Sequence, residues 1–467
     1  MTQYLDEFRL DKMLITLTHV CQRWREVLTT CVPSVWTRLS CTNVEKTRVY
    51  IERSKSLPLE IVLRGGGTSR YHKDAFDLVV PHISRVGSIT LTGGGDLFKI
   101  LTTHFSCHVP LLKILDVNLT CTPHPALNAM LFNGHLPSLC KLSLSGVHPH
   151  LPWNILPKLT SFELCCVKGE QISVTQLLDV FENATFLRNI KLNPAPSSSD
   201  APPGRVVPLP CLQNLTIITD RQPSPTLLDH LTIPLGTFLH LEFDIPGNES
   251  LLRKHLPKTT DNLHNVSYVT SVSLDFSEEC VTIHLKGPSG ELYLCCCRDL
   301  STLSHLEITT SSDRMLLRSL DNLPLSRVQK LEVAMYECPA CEGTDKSDPH
   351  YILGGMGDLR TLSLDQCNNL PFILALNPAQ DPSELILCPK LESLYLYTEH
   401  HWADDMPKLL AMVEERASKG VGLQSITFVS YDELEMEEDL SRLEEYVACV
   451  ECRVEEGPPI LGLVPWG

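Results

Sequence analysis

Residues 137–145 read PSLCKLSLS, and the spacing of their three leucines decides the fold. Leu142 and Leu144 stand two apart, so on an extended strand both turn to the same side. Leu139, three residues earlier, is placed to pack beneath the turn that feeds the strand. A unit of this size cannot close a core alone, so each copy is buried only when another stacks on it.

Outward from this stretch the same apolar-x-x-apolar-x-apolar unit recurs. Toward the N-terminus it stands as Val86/Ile89/Leu91 and Leu112/Leu115/Val117. Beyond 145 come Leu159/Phe162/Leu164, Leu187/Ile190/Leu192, Leu212/Leu215/Ile217, Phe238/Leu241/Phe243 and Val269/Val272/Leu274. Leu303/Leu306/Ile308, Val328/Leu331/Val333, Leu359/Leu362/Leu364, Leu391/Leu394/Leu396 and Leu423/Ile426/Phe428 complete thirteen copies, spaced 20 to 34 residues apart. Proline precedes the first leucine at one offset in four of them, Pro137, Pro157, Pro210 and Pro389, which chance clustering of apolar residues does not explain.

Between these strands the longer segments read as helices. Ser173 and Gln176 form a capping-box pattern that opens a helix through Leu177, Leu178, Phe181 and Ala184. Asp404 or Asp405 caps another, with Pro407 in its first turn and Gly420 past its end. Shorter helical returns are expected at Ala126 to Phe132, Thr226 to Leu231 and Met315 to Leu320. Within residues 275–300, VTIHLKG and ELYLCCC read as an inserted hairpin, and Val44 to Ser54 as a helix before a strand at Leu57 to Leu63. The unit resembles the leucine-rich repeat, L-x-x-L-x-L. That resemblance implies an α/β solenoid with parallel strands on the concave face and helices and loops outside.

The N-terminal residues obey another rule. In LITLTHVCQRWREVLTTCVPSVWTRL, residues 14–39, the apolar side chains Leu14, Leu17, Val20, Cys21, Trp24 and Val27 recur at three- and four-residue steps. This predicts one helix with these residues on a single face. Pro33, Ser34, Val35 and Trp36 then start a short second element. V-C-x-x-W-R with P-S-x-W downstream of it resembles the second half of an F-box, and the spelling is most similar to the fungal set of F-box proteins. Upstream of Leu14 there is no Leu-Pro-x-Glu opening of the kind that starts an F-box. The helix at Val44 and the LPLEIVL strand also resemble the segment C-terminal to the F-box in those proteins. The family implies a small all-α module that docks on the adaptor subunit of a cullin–RING ubiquitin ligase. By that resemblance Leu14, Leu17, Val20, Cys21, Trp24, Pro33 and Trp36 are the adaptor-binding residues.

Composition narrows the function classes. The formal net charge of −17 disfavours a nucleic-acid partner, which is bound by neutralising phosphates with Lys and Arg. No run of about 18 uncharged apolar residues occurs, so no membrane span is expected. Nineteen cysteines, scattered and often inside apolar runs, suggest a reducing compartment, cytoplasmic and/or nuclear. Residues 431–467 hold eleven acids and two bases, and read as an acidic cap over the last repeat.

No constellation for bond chemistry stands out. Cys338 and Cys341 have metal-ligand spacing with His350 nearby, and Cys449 and Cys452 repeat it. The two pairs are too far apart for the usual zinc pattern and read as loop thiols, so no metal and no cofactor is assigned. Glu399 to Asp405, EHHWADD, reads as capping residues before a helix. Gly65–Gly67 and Gly93–Gly95 lack the Lys-Ser/Thr of a phosphate cradle and read as turns. No catalytic residue is assigned, and an enzyme is not expected.

The sequence therefore predicts a partial F-box-like segment over residues 1–40 and an irregular leucine-rich-repeat solenoid over 41–467. The expected function is the substrate receptor of a cullin–RING ubiquitin ligase, joining the adaptor to an unknown protein substrate. A ligase-independent interaction scaffold, with the N-terminal segment only capping the repeats, fits the same residues.

Overall fold

The structure, a computed structural model, describes residues 12–65, 69–105, 108–120, 132, 136–147, 156–165, 172–194, 202–219, 225–245, 261–276, 280–298, 323–335, 347–365, 369–380, 386–398, 405–430 and 437–454. The chain divides into two compact units, Met1–Pro203 and Gly204–Gly467. Both are α/β, built on long and mostly parallel strand ladders.

In the first unit β1 (Arg38–Leu39), β2 (Leu59–Arg64), β3 (Val86–Gly93), β4 (Ile114–Leu119), β5 (Lys141–Ser145), β6 (Ser161–Cys165) and β7 (Asn189–Asn193) pair in chain order, all parallel. The register aligns the leucine unit from strand to strand. Ile61, Ile89, Leu115, Leu142, Phe162 and Ile190 form one row, and Leu63, Leu91, Val117, Leu144, Leu164 and Leu192 a second. Every member of both rows is at most 4% exposed. Slipping any strand by one residue would turn its pair to the outside, so burial of both rows locks the register.

The first apolar position of each unit closes a turn. The backbone N–H groups of Leu112, Leu139, Leu159 and Leu187 donate to the carbonyls of Val109, Leu136, Leu156 and Ala184 at 3.1 to 3.3 Å. Leu212, Val328, Leu359 and Leu391 repeat this bond in the second unit. Pro137, Pro157, Pro210 and Pro389 each fall at the second residue of such a turn, where a fixed φ is favoured and no N–H is needed. The recurring proline is thus explained by turn chemistry.

Helices fill the returns: α1 (Gln22–Glu26), α2 (Val44–Arg53), α3 (Ser69–Asp77), α4 (Gly95–His104) and α5 (Val174–Asn183). Asn43 caps α2, accepting from the Lys46 N–H at 2.9 Å. The expected capping box opens α5, with both reciprocal Ser173 and Gln176 bonds present. Inclined phenylalanine pairs continue the core, Phe76 on Phe105 at 5.3 Å and Phe105 on Phe132 at 5.5 Å. Where β2 and β3 end, Gly65 N–H donates to Thr92 O at 2.6 Å. A Cβ on Gly93, whose φ is +152°, would come within 2.8 Å of Gly65 backbone. Gly65 and Gly93 stand side by side because the chains touch there.

The second unit has β8 (Val207–Pro208), β9 (Asn214–Thr219), β10 (Leu231–Thr232), β11 (Thr237–Ile245), β12 (Ser271–Phe276), β13 (Cys280–Gly287), β14 (Gly290–Arg298), β15 (Lys330–Met335), β16 (Thr361–Asp365), β17 (Ser393–Thr398), β18 (Ser425–Ser430) and β19 (Cys449–Val454). β8 and β10 pair by themselves. The rest stand in the order β9, β11, β14, β13, β12, β15, β16, β17, β18, β19, parallel except for β13. The inserted hairpin is β13–β14, and it joins β12 in a meander lying between β11 and β12. Helices α6 (Pro225–Asp229), α7 (Ser347–Gly354), α8 (Leu370–Leu376), α9 (Met406–Ser418) and α10 (Glu437–Leu443) occur in this unit.

Several expectations change here. In β11 the aligned pair is Leu239 beside Leu215 and Leu241 beside Ile217, two residues earlier than the triplet Phe238/Leu241/Phe243 places it. Leu239, Leu241 and Phe243 alternate and all are buried, so the strand alone permits two registers and its neighbours choose. Phe238 turns to the opposite side, its ring 6.4 Å from His240. Residues 437–454 are also more than a cap: Leu443 and Val447 are buried and β19 adds another parallel strand. Asp405 occupies the cap position of α9 without a side-chain cap bond, and Gly420 comes after it with φ +75°. The Leu303 copy, the 315–320 return and nearly all of the 126–132 return lie outside the described residues.

Candidate docking surfaces

The N-terminal segment does not form one helix. Residues 12–20 are helical, but Cys21 is extended, with φ −158° and ψ 168°. Helix α1 restarts at Gln22, passes into a π turn at Val27–Cys31, and Pro33–Trp36 forms a 3-10 turn. An extended residue resets the helical phase, so the single face expected from Leu14 to Val27 is split. Arg25 Nε donates to the Thr18 carbonyl at 2.9 Å and holds the two pieces together. Thr29 and Thr30 hydroxyls donate back to the Arg25 and Glu26 carbonyls, the local competition that threonines offer a helix. This Thr-Thr pair is the signal in the sequence for an irregular end.

The split sorts the proposed adaptor residues. Leu14 and Trp36 are buried, Leu17 and Pro33 half-buried, and Val20, Cys21 and Trp24 exposed. Trp36 is 1% exposed, its Nε1–H donates to the Leu28 carbonyl at 2.7 Å, and it meets Tyr50 edge-on at 5.0 Å. The Arg53 guanidinium lies 4.5 Å above its ring. Leu39, also 1% exposed, pairs in register with Ile61. These contacts weld the segment to the first ladder. Trp24 is 49% exposed, and Val20 at 59% and Val27 at 42% are exposed as well. Five-residue α1 buries none of its side chains, which leaves Trp24 nothing to pack into.

The second surface is the side of each ladder opposite its buried rows. In the first unit Val62, Thr90, Asp116, Ser143, Glu163 and Lys191 align there. Ser143 Oγ donates to Glu163 at 3.2 Å, and Lys191 lies 3.6 Å from the same carboxylate. Burial holds the Asp116 carboxyl above the usual range, and Glu163 adds to this against Lys141 and a Ser143 hydrogen bond. In the second unit the row His240, Tyr293, His284, Ser273, Glu332, Ser363, Tyr395, Thr427 and Glu451 crosses nine strands from β11 to β19. His284 Nε2 is 3.0 Å from Glu291.

Among the described residues no three His, Cys, Asp or Glu side chains converge on a metal position. Cys449 and Cys452 are three apart on β19 and so face opposite sides of it. Cys338, Cys341 and Glu399 to Asp404 lie outside the described residues. No helix among the described residues is long and apolar enough to cross a membrane. A scan against protein-family models finds no match, and a search of curated proteins finds none.

Proposed function

We propose that this protein is the substrate receptor of a cullin–RING ubiquitin ligase. Its F-box-like N-terminal segment docks on the adaptor, and its leucine-rich-repeat-like ladders hold a protein substrate. The observation that carries the reading is the pairing of an exposed Trp24 with a sealed Trp36 in a segment resembling the second half of an F-box. A half-exposed tryptophan is the kind of aromatic anchor that interfaces use, and Val20 and Val27 of the same segment are exposed as well. The receptor performs no bond chemistry; its contribution is proximity, holding an acceptor lysine near a ubiquitin-loaded enzyme. It works in the cytoplasm and/or nucleus.

The test is capture of purified adaptor by the full chain. Trp24→Ala is expected to abolish capture while leaving the thermal midpoint within about 2 °C, because an exposed side chain contributes little to folding. No capture by the unaltered chain, where an intact F-box protein succeeds, overturns the reading. A ligase-independent scaffold is favoured by one observation, the stacking of Trp36 on Tyr50 and the pairing of β1 with β2, which makes the segment an integral end of the ladder.

A further inference from the structure

We propose that the outer face of the second ladder, from β11 to β16, binds arginine side chains of a protein partner, with Asp275 as the central carboxylate. This deepens the substrate-receptor reading by naming the chemistry of the bound segment. It rests on that reading only in taking the ladder as a protein-binding face.

The register sets Glu242, Cys295, Thr282, Asp275, Ala334 and Asp365 in one row across six strands. Carboxylates alternate with short side chains. Cys295 and Thr282 lie between Glu242 and Asp275, and Ala334 between Asp275 and Asp365. At about 4.8 Å per strand the gaps are about 14 Å and about 10 Å between Cα atoms. Each is a shallow trough with a carboxylate at either end.

The neighbouring row supplies flat rings. His240 and Tyr293 centroids are 5.1 Å apart and Tyr293 and His284 5.9 Å, both edge-on. A hydrogen bond ties Tyr293 to Thr282, so ring and trough form one surface. Carboxylates beside aromatic faces match a guanidinium, which pairs through its planar fork and stacks on rings, better than a compact ammonium.

Asp275 is what calls for an incoming cation. Its Oδ1 is buried and meets no hydrogen bond. Burial alone raises its carboxyl, with no neighbouring cation to oppose that. The described bases on this part of the face, Lys286 and Lys330, sit in the row at the opposite ends of the strands and pair with Glu291 and Glu332. Among the described residues no cation stands against Asp275, so a partner's cation is the counter-charge this face is built to take.

The experiment titrates the full chain into a fluorescent glycine–serine peptide carrying two arginines and tracks polarisation, with citrulline and lysine versions alongside. Saturable arginine binding is expected, weaker lysine binding, and none for citrulline. Asp275→Asn should weaken binding about tenfold or more, as loss of a charge-assisted pair does. Tyr293→Leu should weaken it at least threefold, and Tyr293→Phe, which keeps the ring, less than twofold. Glu438→Gln removes an exposed acid from α10, away from the ladder, and should also change binding less than twofold.

Failure of the unaltered chain to saturate, wild-type binding by Asp275→Asn, or an equal loss in Glu438→Gln overturns the inference. Should Asp275→Asn misfold by circular dichroism, the Tyr293 pair decides: equal binding by the Leu and Phe variants overturns it. Adaptor capture is measured on the same preparations. Lost arginine binding with intact capture refutes only this inference, and the reverse refutes only the ligase reading.

Discussion

Arg416 lies in the last turn of α9 at 0% exposure, an arginine sealed inside the second unit. Its Nη1 donates to the carbonyls of Leu387 at 3.0 Å and Leu376 at 3.4 Å, and its Nη2 to that of Cys388 at 2.9 Å. Cys388 has φ +47°, and its carbonyl also accepts the Leu391 N–H at 3.0 Å in the turn that leads into β17. Consider Arg416→Met, which keeps the length and apolar stem. Two short charge-assisted bonds are lost, worth about 1.5 to 3 kcal/mol each, and the long third adds little. That sums to about 3 to 6 kcal/mol. Against it stands relief from burying the guanidinium, which burial makes less favourable, as its lowered pKa reports. The Leu387 and Leu376 carbonyls lose their Arg416 donor while the Cys388 carbonyl keeps the Leu391 N–H at 3.0 Å, so the hydrogen-bond loss still outweighs the relief, and the net cost is about 2 to 4 kcal/mol. Hydrogen exchange should show this as roughly 30-fold or greater loss of protection at 370–376 and 406–418, with urea unfolding by circular dichroism shifted to lower midpoint. Arg416→Lys, one point charge for a fork, should recover only part. A Met variant as stable as the original would refute the reasoning and show that the carbonyls find other donors.

The contacts lead to three further outcomes. Trp36→Ala should cost about 3 to 5 kcal/mol of unfolding free energy, whereas Trp24→Ala should cost less than about 1, measured by chemical denaturation. Ser173→Ala removes one half of the capping box and should destabilise α5 by about 1 kcal/mol, read as faster exchange of the Gln176 amide. Asp275 has a folded pKa raised above its unfolded value, so its favourable contribution exists at low pH and disappears as pH rises through the folded pKa. Asp275→Asn should therefore raise the thermal midpoint at pH 7, with the gain vanishing by about pH 3; a pH-independent difference would refute the assignment.

Most of the ladder is legible in the sequence because its signal is local. The L-x-L spacing is a statement about strand geometry, and the proline two residues before four of the first leucines is a statement about turn geometry. Both survive any choice of neighbour. Leu142 and Leu144 fall where the spacing predicts for that reason, as does the Ser173 capping box, whose donors and acceptors lie within four residues. The register of β11 differs from expectation because three alternating apolar residues satisfy two registers equally, and only pairing with Leu215 and Leu292 separates them. β19 is hidden because Val447, Val450 and Cys452 carry the pattern inside an acidic stretch whose charges dominate its composition.

The N-terminal segment shows the same division at the candidate site. Three- and four-residue steps put Trp24 on one face with Leu14, since periodicity assumes that helical phase runs on. One extended residue at Cys21 interrupts it, leaving Leu14 buried and Trp24 outside, while Trp36, in its own 3-10 turn, packs against Tyr50. The row of Glu242, Asp275 and Asp365 is likewise invisible in sequence, because its members are 33 and 90 residues apart and meet only when β14 and β13 insert between β11 and β12. By itself the sequence determined strand, turn and inward face, which depend on neighbours within a few residues. Tertiary structure decided register, strand order and which side chains share the outer face, because those depend on backbone hydrogen bonds between segments far apart in the chain.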